Sequence, residues 1–212
     1  MNGQYPKSCT AFKGNQWVAS GTVVQVAAKL KKVMDVGQPE MVLIFDDLDG
    51  DIIEVDLRGT IGDILKRLED PSTKNVSPEA SADKDPDAMR GPGRPKLGVV
   101  SREVTLLPRH WDWLNSQPGG ASVALRKLVD EARHVNRGRD KVRHSQEAAY
   151  RFMSAIAGNL PGYEEAIRAL FAGNRERFDD SITSWPADIR EYALKLSKTA
   201  LHSRKLERAN DQ

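Results

Sequence analysis

Two groups of residues carry the charge chemistry of this 212-residue chain. The first is acidic, with Asp46, Asp47, Asp49, Asp51 and Glu54 gathered around Gly50. Carboxylates so close together can attack a phosphoryl centre, protonate a leaving group or hold a hard divalent cation. The second is basic. Arg90–Ser145 holds 12 Lys and Arg against 5 Asp and Glu, a net of +7. Residues 1–89 hold 10 against 15, and residues 146–212 hold 10 of each. The overall charge of +2 therefore hides a basic centre beside an acidic head, the asymmetry that polyanion binding needs. His110, His134, His144 and His202 show no ligand spacing and lie in basic segments, which points to solvated or helix-terminal roles. A single Cys9 excludes an internal disulfide framework and a Cys-based zinc site. No nucleophile turn joins Ser, His and Asp. No metal site or cofactor is expected.

The elements that must position these groups follow from periodicity. Thr10–Ser20 reads as a hairpin about Lys13-Gly14-Asn15. Thr22 caps a helix to about Val36, with Val23, Val26, Ala27, Leu30, Val33 and Met34 at helical spacing. Met41–Phe45 is an apolar strand, Asp49-Gly50 a hairpin turn, and Ile52–Leu57 the returning strand. Thr60 caps a short helix, Ile61–Leu68, with Asp63 completing a capping box. The head is thus a small α+β domain, β-β-α-β-β-α, over residues 1–69. Residues 70–89 are Pro-, Ser- and charge-rich and read as a flexible linker.

Residues 90–144 open with Arg90-Gly91-Pro92-Gly93-Arg94-Pro95-Lys96. A strand, Val99–Leu107, follows. Pro108 opens a helix through Gln117, with Trp111, Trp113 and Leu114 as its core residues. After Pro118-Gly119-Gly120, Ser122 caps a second helix, Val123–Val135, and residues 136–144 form either an extension of it or a hinge. Residues 145–212 are all-α: Ser145–Ala157 ending at Gly158, Tyr163–Ala172 ending at Gly173, Asn174–Ser184 starting with a capping Asn, and Pro186–Leu201 opening with Pro. No apolar run reaches the ~20 residues of a membrane helix and no leader segment is visible, so a soluble cytoplasmic protein is expected.

Gly93-Arg94-Pro95-Lys96 resembles the core of an AT-hook. Gly and Pro keep such a segment thin and extended, and Arg enters the narrow minor groove of A·T-rich DNA. Pro92 stands where the usual hook has a second Arg, and Arg90 would substitute from outside. Val99–His134 resembles a ribbon-helix-helix unit. That resemblance implies pairing of the strand with its copy in a homodimer and entry of the ribbon into the major groove. It also implies a phosphate capped by the second helix at Ala121, Ser122 and Val123. Two strand registers stay open. Either Arg102, Val104 and Leu106 face outward, or Val104 and Leu106 face inward and Glu103 outward.

Asp47-Leu48-Asp49-Gly50 after a strand is similar to the first motif of haloacid-dehalogenase phosphatases. The helical tail lacks the strand–helix alternation that family needs, so an acidic hairpin tip is the preferred reading and no enzyme is expected. The string from Gly93 to Trp111, with Ala148-Ala149-Tyr150-Arg151-Phe152-Met153 and Trp185-Pro186-Ala187-Asp188, is similar to an uncharacterised bacterial family over most of the chain.

The sequence therefore predicts a nucleoid-associated factor or transcriptional regulator bound to double-stranded DNA, with a preference for A·T-rich sites. Arg90, Arg94 and Lys96 would occupy the minor groove. Arg102, Arg109, Ser122, Arg126 and Lys127 would hold phosphates, joined by Arg133, Arg137, Arg139, Lys141 and Arg143. The alternative is a non-enzymatic adaptor that docks a partner protein.

Overall fold

A computed structural model describes residues 5–36, 41–69, 100 and 102–202. The chain divides into two compact units, Met1–Asn75 with Arg137–Gln212, and Val76–Asn136.

The first unit is built on a three-stranded antiparallel sheet in the order β2-β1-β3, with β1 Cys9–Lys13, β2 Gln16–Gly21 and β3 Val42–Asp46. β1 and β2 form the expected hairpin, with Gly14 at φ 54° in its turn and a register shift between Ala11 and Phe12. Cys9, Thr10, Ala11 and Phe12 are all buried, so β1 is covered on both faces. The alternation of a strand sorts them. Cys9 and Ala11 pack with Val23, Val26 and Leu30 of α1, Val23–Val36. Phe12 packs with Phe45, Phe152 and Tyr192, in a core shared with the helical tail. α1 starts in a reciprocal cap, Thr22 N donating to Gln25 Oε1 at 3.0 Å and Gln25 N to Thr22 Oγ1 at 3.4 Å.

The returning strand expected at Ile52–Leu57 is reduced to one bridge, Phe45 with Ile52. Beyond it the carbonyls of Asp56 and Arg58 accept from Arg67 Nη2, so an arginine takes up groups that a ladder would have used. Arg67 belongs to α2, Ile61–Glu69, whose start shows the expected Thr60–Asp63 box, Thr60 N to Asp63 Oδ2 at 2.9 Å.

In the second unit, residues 102–107 lie outside any helix or sheet ladder. The strand expected at Val99–Leu107 pairs with no other described segment of the chain, so it joins no sheet within it. Pro108 opens α3, Pro108–Ser116, as its fixed φ favours. α4 then runs unbroken from Gly120 to Ile156. The two helices expected at Val123–Val135 and Ser145–Ala157 are one, and residues 136–144 are helix rather than hinge. No Pro interrupts them, and Gly138 alone costs only about 1 kcal/mol against Ala.

The tail follows its punctuation closely: α5 Tyr163–Ala172, α6 Arg175–Ser181 and α7 Ala187–His202. Gly173 closes α5 at φ 63°, and Asn174 Oδ1 caps α6 by accepting from Arg177 N at 3.1 Å. α6 ends before the expected Ser184, where Ser181 and Thr183 hydroxyls donate back to the carbonyls of Arg177 and Asp179. Ser145 joins α4 to α7. Its buried hydroxyl donates to Leu196 O at 2.6 Å and accepts from Ala200 N at 3.2 Å, entering one turn of the α7 ladder.

Candidate nucleic-acid interface

In the second unit the residues expected to hold phosphates stand at the surface. Arg102, Arg109, Ser122, Arg126 and Lys127 are each exposed. Gly119 at φ 88° and Gly120 at φ 75° make the turn into α4, conformations that L side chains rarely adopt. No acidic residue occupies the first turn of α4, so nothing there competes with an incoming anion. Ser122 Oγ accepts from Arg126 Nη2 at 2.9 Å, which brings two of the expected residues together. Arg133, also exposed, has only a long contact to Asp130 at 4.0 Å. In the first unit Arg137, Arg139, Lys141 and Arg143 continue along α4, all exposed, with Arg143 held by Asp140 at 2.9 Å. Each of these pairs joins two exposed neighbours three positions apart on α4 itself, with no other described partner to hold the carboxylate in place, so the pair is weak and its cation stays available to a polyanion. Arg90, Arg94 and Lys96, the expected minor-groove residues, lie outside the described residues.

The apolar residues of the second unit do not behave as expected. Leu114 is buried, but Trp111 and Trp113 are not core residues. Trp113 is 51% exposed, Val129 54% and Val135 72%, and Val104 and Leu107 are also open. Among the described residues of this unit, only Leu114 and Ala124 are buried apolar side chains. α3 has one buried turn and so leaves its aromatic residues unburied.

The acidic group of residues 46–51 has two fates. Asp47 is 13% exposed and sits at the end of β3 against α7. Its Oδ2 accepts from Ser8 Oγ at 2.5 Å and pairs with Lys195 Nζ at 3.0 Å. Its Oδ1 accepts from Thr10 Oγ1 at 2.7 Å and Tyr192 OH at 2.8 Å. Burial opposes ionisation of Asp47, but the hydrogen bonds from Ser8, Thr10, Tyr192 and Lys195 outweigh it and hold the carboxyl below its ordinary range. Burial pushes the Tyr192 phenol up, reinforced by its bond to Asp47. Burial also raises the Cys9 thiol to about 11, with the nearby charges of Asp47 and Asp46 adding to it. Both carboxylate oxygens of Asp47 are engaged by donors of the protein itself, an arrangement suited to joining sheet and tail.

Asp49 and Asp51 turn instead to α4. Asp46 Oδ1 accepts from Leu48 N at 2.7 Å and Asp46 O from Gly50 N at 2.9 Å, which folds the loop tightly. Asp49 Oδ1 lies 3.0 Å from His144 Nε2, and Asp51 Oδ1 lies 3.2 Å from Arg151 Nε. Arg151 Nη1 also donates to Asp49 O at 2.9 Å. Gly50, at φ 70°, passes so close to α4 that a Cβ there would fall 2.2 Å from Ala148 O. Among the described residues no group of three His, Cys, Asp or Glu is arranged to hold a metal ion. No described helix is long and apolar enough to cross a membrane.

The molecule thus joins a small three-stranded sheet, covered on both faces, to a mainly helical chain whose longest helix carries a run of exposed cations. The chain belongs to a bacterial family described as "Uncharacterized protein conserved in bacteria (DUF2239)", whose profile matches residues 8–197. No curated protein and no solved structure matches it.

Proposed function

We propose that this is a DNA-binding protein, a regulator or nucleoid-associated factor of the bacterial cytoplasm, working as a homodimer. The observation that carries the reading is the exposure of every cation of α4 from Arg126 to Arg143, against the acid-free first turn at Ser122. Phosphates recruit exposed cations and release counterions, and backbone N–H groups at a helix start add directed donors. Arg102 and Arg109 extend the charge, and Arg94 with Arg90 and Lys96 supplies the minor-groove arm that the sequence pattern describes.

Binding of duplex DNA across a salt series measures the contact. A reading with six phosphate contacts predicts a log–log slope of about −5. Arg126→Ala with Lys127→Ala should flatten the slope by about 2 and weaken all sequences alike. Arg94→Ala should weaken A·T-rich duplexes more than G·C-rich ones. A flat slope, or equal losses for Arg94→Ala on both duplexes, rejects the groove contact.

The homodimer rests on the open apolar side chains of the second unit. Among the described residues of the unit only Leu114 and Ala124 are buried apolar side chains, while Trp113, Val129 and Val135 stay open, and small units usually complete their cores by association. A standard interface buries about 800 Å² per partner, a scale that two tryptophans and several aliphatic chains can supply. Light scattering of the DNA-free protein should give twice the chain mass at micromolar concentration, and Trp113→Glu with Val129→Glu should halve it. The same apolar residues favour the second reading, an adaptor that docks a different protein. A monomer that ignores DNA would support the adaptor.

A further inference from the structure

We propose that the Asp46–Asp51 loop is a built-in charge mask on α4, so that His144 and Arg151 are latent phosphate contacts silenced by Asp49 and Asp51. This inference rests on the DNA-binding reading and assigns a regulatory element to the same helix.

The geometry is specific. The two carboxylates meet α4 two turns apart, Asp49 on His144 at 3.0 Å and Asp51 on Arg151 at 3.2 Å. His144 follows directly on the exposed run that ends at Arg143, and Arg151 lies two turns further along the helix. A carboxylate opposite a guanidinium occupies the fork that a phosphate would use. His144 is 44% exposed and Arg151 43%, so both keep an open side toward solvent. The loop does not depend on the Asp49 and Asp51 carboxylates for its place. Arg151 donates to the main-chain oxygen of Asp49, the loop closes on Asp46 O, and Gly50 sits against Ala148 O. Asn at positions 49 and 51 therefore removes charge and leaves the loop docked. Asp47 faces α7 and takes no part, because its oxygens are filled by Ser8, Thr10, Tyr192 and Lys195.

The mask makes a prediction that net charge alone does not. Asp49→Asn with Asp51→Asn frees the Arg151 guanidinium and uncovers the His144 ring, so the salt slope should steepen by about 1. Glu54→Gln with Glu191→Gln changes net charge by the same amount at exposed positions with no described partner on α4. That pair should leave the slope unchanged. The readout is fluorescence anisotropy of a labelled A·T-rich duplex, with circular dichroism of each variant showing the native helix content. A steeper slope for the loop variant alone supports the mask. If the wild-type chain binds and both double variants share its slope, or both steepen it equally, the mask is overturned and the DNA reading stands. If neither the wild type nor the loop variant binds at low salt, the DNA reading falls and the mask with it.

Discussion

Asp47→Asn is expected to destabilise the first unit by about 3 kcal/mol, a sizeable fraction of the roughly 5–15 kcal/mol margin typical of a folded domain. The native carboxylate gathers Ser8, Thr10, Tyr192 and Lys195 on its two oxygens. Hydrogen bonds to a charged acceptor are each worth roughly 1.5–3 kcal/mol. Asn keeps the shape but presents an NH2 to two donors, which leaves Thr10 and Tyr192, or Ser8 and Lys195, without an acceptor. Thr10 and Tyr192 are fully buried, so they cannot turn to water instead. Lys195 is half exposed and stays near the rings of Tyr192 and Trp17, so its loss is the smaller part. Tyr192→Phe, which removes one donor and leaves the charge served by three, should cost about 1.5 kcal/mol, the low end of that range. Urea unfolding followed by tryptophan fluorescence gives both numbers. A loss below 1 kcal/mol for Asp47→Asn would show that the network adds little.

The same group sets a direction with pH. Its folded pKa lies below the ordinary 3.8, so its contribution is fully present above that value and is lost as pH falls through the folded pKa. Wild-type stability should drop below pH 4, and Asp47→Asn should flatten that limb of the profile.

Gly50→Ala is the second large effect, at about 3 kcal/mol. Two penalties add. The left-handed φ of 70° costs an L residue roughly 1 kcal/mol. The new methyl would lie 2.2 Å from Ala148 O, a backbone atom in the middle of a helix that cannot step aside. The loop must then lift from α4, and the pairs of Asp49 with His144 and Asp51 with Arg151 open together. Gly50→Asn separates the two causes, since Asn tolerates the left-handed region but carries the same Cβ. If Asn restores stability, close approach is not what the position demands. Hydrogen exchange at the Gly50 amide, which donates to Asp46 O, should speed up in both variants.

Much of the local structure is legible in the sequence. The Thr22 and Thr60 caps, the Gly14 turn, Pro108 at a helix start and the Asn174 cap all act where their chemistry says they should. These are signals within one turn of the chain. What could not be read needs a distant partner. Ile52–Leu57 has strand composition, but only Ile52 forms a bridge, and at its far end Arg67 takes the carbonyls of Asp56 and Arg58. Trp111 and Trp113 have the spacing and size of core residues, but no segment among the described residues of their unit covers them. The acidic group around Gly50 reads as a candidate site from its density of carboxylates. Only the fold separates Asp47, which faces inward to α7, from Asp49 and Asp51, which face α4. The phosphate-holding residues Arg102, Arg109, Arg126 and Lys127 were visible as charge, and their exposure agrees with that reading without testing it.

The twice-covered strand β1 also has a temporal meaning. It is made well before α4 and α7, so Phe12 waits for Phe152 and Tyr192, and Trp17 N waits for Asp188 Oδ2, a bond across 171 positions. During synthesis one face of the sheet must stay uncovered until α7 has left the ribosome. Such distant closure predicts slow folding, and a nascent chain stopped short of α7 would display an aromatic surface ready to aggregate.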